Sequence, residues 1–143
     1  MIDVAVRKKL FSARGDMKLN VAFRINAGEL VTLYGPSGAG KTTILRMLCG
    51  LSVPDEGFIN VAGETWFDAA RKIDVKPQVR NVGIVFQDYA LFPNMTVKQN
   101  LEYAVDKNHP STVVDELLEL MELSSLATKK PNVLSGGQQQ RVA

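Results

Sequence analysis

The stretch Gly35-Pro36-Ser37-Gly38-Ala39-Gly40-Lys41-Thr42-Thr43 limits the possible folds more than any other part of the chain. It satisfies the pattern G-x-x-x-x-G-K-[ST] in the context that the pattern needs. An apolar run, Leu30-Val31-Thr32-Leu33-Tyr34, enters it, and a helix-compatible run, Ile44-Leu45-Arg46-Met47-Leu48, leaves it. The order predicts a strand, a tight loop and a helix. Gly35, Gly38 and Gly40 let the backbone turn with no side chain in the way, so successive N–H groups can converge on an anion. A helix N-terminus adds a dipole that favours negative charge. Lys41 supplies a flexible point charge for β- and γ-phosphates. Thr42 supplies a hydroxyl suited to Mg²⁺, a hard cation that takes oxygen ligands and keeps several waters. An ordinary strand-to-helix turn would explain the glycines alone, but not Lys and Thr at these two places.

Two later segments narrow the reading. Val82-Gly83-Ile84-Val85-Phe86 reads as a short buried strand followed by Gln87, inside "VFQDYALFPNMTVKQN". A magnesium-binding strand closed by Asp88 is the competing reading, and it fails. Gln87 stands between the run and the acid, and no Glu follows Asp88, which is read as a solvated or capping carboxylate. Further on, Leu134-Ser135-Gly136-Gly137-Gln138 pairs a hydroxyl with two glycines that permit close backbone approach at the start of a helix.

In this order the three segments resemble the ATP-binding cassette family, and the resemblance runs over essentially all 143 residues. It implies a P-loop α/β fold with a central mixed sheet, an antiparallel β subdomain and a helical subdomain. The sheet is expected to be incomplete in this chain. Residues 1–86 would form the β subdomain and Walker A core, and residues 87–143 the Q-loop and helical subdomain. The resemblance makes residues 35–43 the Walker A loop for ATP and Mg²⁺, with Thr42 on the metal. It makes Gln87 the Q-loop residue near the metal and the attacking water, and residues 134–138 the signature that meets the γ-phosphate held by a second copy of the cassette. Lys41 and Gln87 are the catalytic candidates within the chain. Phe11 takes the place of the family's adenine-stacking aromatic, a role that needs only a flat π face. Core packing beside Leu10 is an equal reading of it.

A guanylate-kinase-like enzyme is the alternative suggested by the loop alone. Such kinases start almost at the loop, whereas here it begins at Gly35, and they have no use for "LSGGQQQR". Cassettes of DNA maintenance put a very long coiled coil between loop and signature, for which this spacing has no room. "FQDYALFPNMTVKQNL" resembles the importer branch, and "VAGETWFD" with "QVRNVGIVFQDYALFP" is similar to molybdate and related oxyanion importers. The implied partners are a second cassette, transmembrane permease subunits and, indirectly, a solute-binding protein.

Seventeen basic against fifteen acidic residues leave a net charge of +2, which gives no field for nucleic acid. No apolar run approaches the length of a membrane-spanning helix, and "MIDVAVRKKLF" lacks the features of a signal peptide. A cytoplasmic protein, peripheral on the inner face of the cell membrane, is expected. Cys49 is the only cysteine and reads as a small buried hydrophobe.

Strands are expected over 2–6 and 18–25, joined by the turn-rich "SARGD", and a hairpin over "FINVAGETWF" with its bend at Gly63 and with Trp66 and Phe67 packed. Thr96 with Gln99, and Thr112 with Asp115, are capping-box patterns ahead of two helices. In the second helix, Val113, Val114, Leu117, Leu118 and Met121 recur at helical spacing and should face a core. His109 is read as a loop residue. The residues up to Ala143 contain no strand ending in Asp-Glu and no later switch His. The chain is therefore expected to be the N-terminal portion of a longer ATPase, binding ATP without hydrolysing it alone.

Overall fold

The computed structural model describes residues 1–12, 15–105, 110 and 112–143. They form two compact units, Met1–Gly83 and Ile84–Ala143.

The first unit is built on a five-stranded antiparallel sheet of order β2-β1-β3-β4-β5. β1 (Ile2–Ser12) and β2 (Gly15–Ile25) pair along their whole length, with Val4 opposite Phe23, Val6 opposite Val21 and Leu10 opposite Met17. Alternation puts these residues on one face and Arg7, Lys9 and Phe11 on the other. Both strands run longer than the apolar pattern suggested, because their outer face is polar and needs no burial. Residues 13 and 14 of the expected "SARGD" turn lie outside the described residues.

β3 (Glu56–Val61) lies on the other edge of β1. Gly57 sits there at φ 100°, and a Cβ on it would stand 1.9 Å from the Ala5 carbonyl oxygen, so only glycine fits. β4 (Glu64–Asp68) returns from β3 through Ala62 (φ 52°) and Gly63 (φ 88°), a two-residue turn of the kind that matches strand twist. The register slips between Ile59 and Asn60 as β3 meets β4. That bulge lets adjacent Trp66 and Phe67 both reach buried positions, which strict alternation would forbid. β5 (Ile73–Asp74) closes the edge. One helix, α1 (Lys41–Leu48), packs Ile44 and Met47 into the same core as Val4, Val6, Leu19, Ile59, Trp66 and Phe67. Fully burying a side chain such as Ile59 or Met47 contributes about 1.5 to 3 kcal/mol.

In the second unit, α2 (Val97–Ala104), α3 (Thr112–Leu120) and α4 (Gly136–Val142) enclose Val97, Val114, Leu118, Leu123, Leu134 and Val142. The capping box before α2 is present: Thr96 Oγ1 accepts from the Gln99 N–H and Gln99 Oε1 from the Thr96 N–H. The one expected before α3 is not. Thr112 is already helical, the position before it lies outside the described residues, and Asp115 instead accepts from Lys98 Nζ at 2.7 Å. The stripe on α3 is narrower than its spacing suggested, with Val114 and Leu118 buried and Met121 exposed. His109 lies outside the described residues. Buried Asn100 holds the loop before α2, accepting from the Phe92 N–H and donating to the carbonyls of Phe92, Met95 and Thr96.

Two expected strands are absent as strands. Leu30–Tyr34 and Val82–Phe86 pair with nothing among the described residues. Leu30 is 98% and Tyr34 100% exposed, and Val85 is exposed as well. An apolar run becomes a strand only when a neighbouring strand takes up its backbone N–H and C=O groups.

Candidate functional site

The phosphate loop leads directly into α1. Gly40 is the residue before the helix, at φ 89°, with no side-chain cap on the first turn. Its hydrogen faces Leu19 and Leu10, and a Cβ would come 3.1 Å from Leu19 Cδ1, so the loop seats closely on the inner face of the β1–β2 hairpin. The first N–H groups of a helix have no partner within it, and the residue types here give them no side-chain acceptor. Lys41 Nζ folds back on the loop and donates to the carbonyls of Gly35 (2.7 Å) and Pro36 (2.8 Å), which holds its charge against the loop backbone. Thr42, Pro36, Ser37 and Gly38 are exposed, while Gly35, Ala39, Gly40, Lys41 and Thr43 are half-buried.

Phe11 is 78% exposed, so it does not pack in the core. It lies on the outer face of the hairpin, opposite to the face where Leu10 meets Gly40. A base stacked on it would sit at the hairpin's end rather than over the sheet.

In the second unit, Gln87 and Asp88 are exposed in a turn closed by the Tyr89 N–H to the Phe86 carbonyl. Tyr89 (φ 60°) and Ala90 (φ 50°) follow in the left-handed region. Two consecutive non-glycine residues there are strained, a feature with no composition signal, and such strain clusters at functional loops.

The segment 134–138 divides its work. Leu134 is buried with Val142 and anchors the motif, so its side chain is not part of the exposed surface. Ser135 caps α4: its Oγ accepts from the Gln138 N–H, and Gln138 Oε1 accepts from the Ser135 N–H. This second capping box is written in the sequence as Ser-x-x-Gln. Gln139 Nε2 ties the turn to the carbonyls of Pro131 and Leu134. Gly136 and Gly137 are exposed, have no positive φ, and would carry a Cβ with nothing within 4 Å. Glycine early in a helix is about 1 kcal/mol less favourable than alanine. Nothing in the chain's described residues requires it here.

Arg80 belongs to no motif of the sequence and is the most buried charge among the described residues, its side chain 1% exposed beneath the end of α1. Burial lowers its pKa, partly offset by Asp74. Burial raises the pKa of neighbouring Cys49, which Arg80 opposes.

Residues 19–143 match the ABC transporter family. The molybdenum import ATP-binding protein ModC of Paramagnetospirillum magneticum is 43% identical over all of this chain and 39% of its own length. The spermidine/putrescine import ATP-binding protein PotA of Chromobacterium violaceum is 45% identical over 87% of this chain and 34% of its own. The chain thus spans about two-fifths or less of these relatives. Among solved structures, a dimeric post-hydrolysis state of an ATP-binding cassette bound to ADP and Pi superposes with a TM-score of 0.73 at 28% identity, covering 99% of this chain and 66% of that one. The antiparallel sheet and helices are therefore those of an ABC cassette, and the chain belongs to the ABC transporter family as an ATP-binding domain.

Proposed function

We propose that this chain carries the nucleotide-binding half-sites of an importer's ATPase subunit. The observation that carries the reading is the uncapped start of α1, with left-handed Gly40 before it and Lys41 Nζ held over the loop by two carbonyls. Residues 35–43 would cradle the phosphates of ATP. Thr42 offers one hydroxyl oxygen to Mg²⁺, and a cation that prefers oxygen and retains water would take its remaining ligands from phosphate and solvent. That donor chemistry fits the ion. When bound, Mg²⁺ would offset charge on the phosphates, and Lys41 would neutralise part of it; the family resemblance assigns Gln87, exposed in the second unit, to water or metal.

Ser135, Gly136 and Gly137 would face the nucleotide of a second copy, in a head-to-tail dimer. The support is the pair of glycines that the local fold does not need. In the full-length protein, closure of that dimer would drive permease subunits, placing the domain on the cytoplasmic face of the membrane. No helix among the described residues is long and apolar enough to cross one. Molybdate or another oxyanion is the proposed cargo, supported by the molybdenum relative and opposed by a polyamine relative of similar identity. The family match leaves the nucleotide-kinase reading without support.

The test is calorimetric titration of the full-length protein with Mg-ATP. Lys41→Ala removes a charge-assisted contact of about 1.5 to 3 kcal/mol, so affinity should fall about ten- to a hundredfold with the fold intact. Equal affinity in the variant removes the assignment of the loop.

A further inference from the structure

The end of α1 away from the phosphate loop is held as carefully as the loop itself. The helix closes on Gly50 at φ 75°, whose N–H bonds the Met47 carbonyl, while the Leu51 N–H bonds the Arg46 carbonyl at 2.8 Å. That is a Schellman ending, which supplies donors to the Arg46 and Met47 carbonyls; each carbonyl of the last turn, Leu48 included, can accept more. Arg80 supplies further donors. Its Nη1 donates to the carbonyls of Met47 and Leu48, both at 2.8 Å. Its Nε donates to the Val75 carbonyl at 2.9 Å, and Nη2 to the Trp66 carbonyl and Asp74 Oδ1. All five guanidinium N–H groups are thereby used, on acceptors from α1, β4 and the β5 region. The plane also lies over the Trp66 ring, 5.7 Å from its centroid.

We propose that Arg80 is a positioning residue for the nucleotide site, a clamp that fixes the C-terminal end of α1 and through this rigid helix the place of Lys41 and Thr42 at its other end. The proposal rests on the reading of α1 as the phosphate helix. α1 has eight residues and fully buries only Ile44 and Met47, with Leu48 partly buried against the same core, so few side chains set its tilt. A fork that ties the helix end to β4 and the β5 region removes that freedom. A cation at this end also complements the helix dipole. Displacement by about 1 Å at the far end is enough to spoil a site that works by position.

The experiment compares wild-type full-length protein with Arg80→Lys, which keeps the charge and loses the fork, by Mg-ADP titration well below each protein's melting temperature. Expected is an affinity about fivefold weaker at an unchanged stoichiometry, the low end of coupling between distinct sites. Lower melting with unchanged affinity overturns the clamp, because packing alone would do that. Failure of the wild type to bind nucleotide removes the phosphate reading and this proposal with it. If the lysine variant does not fold, amide exchange in the wild type decides: Mg-ADP bound at one end of α1 should slow exchange at Gly50, Leu51, Ser52 and Val75. Unchanged exchange there overturns the proposal.

Discussion

α1 and α4 both start at glycine-rich segments, yet their N-termini are finished in opposite ways. α1 follows a glycine and has no side-chain cap; α4 follows Ser135, in a complete capping box with Gln138. A capped helix has already spent part of its hydrogen-bonding capacity on itself, whereas an uncapped one holds it for a ligand. The glycines differ in the same sense. In the first unit Gly40 and Gly57 answer to neighbours inside the chain, Leu19 and the Ala5 carbonyl; Gly136 and Gly137 answer to none. Under the proposed function, these two glycines would leave room for a partner that approaches from outside.

The contrast can be broken most strongly at Gly57. Gly57→Ala drives a Cβ into the Ala5 carbonyl at an unfavourable φ, and we expect a loss of more than about 4 kcal/mol in denaturant unfolding, or failure to fold. Next in size, Asn100→Ala strips the 92–96 loop of its central partner and should cost about 2 to 3 kcal/mol, read by the same unfolding experiment. Gly137→Ala reverses the sign. With nothing nearby to displace, it should leave stability unchanged or raise it by up to about 1 kcal/mol, while ATP-dependent dimerisation, followed by light scattering, weakens. Loss of stability there would show that the fold needs this glycine after all. The smallest effect is expected from Phe11→Ala: an unchanged melt, and Mg-ATP affinity lower by less than about 1.5 kcal/mol with tripolyphosphate affinity unaltered. A large fall for both ligands would mean that Phe11 supports the loop instead of a base.

These expectations also mark what the amino-acid order made legible. The helix α1 after the glycine-rich turn, the hairpin with its bend at Gly63, and the Thr96 capping box depend on residues a few positions apart, and all three elements are present as read. The runs 30–34 and 82–86 are apolar enough for buried strands, but pairing is decided by distant segments, and no described strand lies beside them. Arg80 was invisible for a related reason. A lone arginine in a polar stretch reads as solvated, and only the tertiary fold brings four carbonyls and Asp74 around it. Ser135 with Gln138 is the opposite case, because the Ser-x-x-Gln spacing of its capping box stands in the sequence itself.

Under the proposed function the start of α1 binds the chain's own nucleotide and the start of α4 serves a second copy's. Ser135→Arg in the full-length protein tests it most directly, by Mg-ATP titration of the monomer together with sizing in ATP. Each monomer should bind Mg-ATP as the wild type does, and the ATP-dependent dimer should disappear because a bulky side chain obstructs the interface. A variant that still forms the dimer and hydrolyses ATP at the wild-type rate, or one whose monomer has lost its nucleotide, would contradict it.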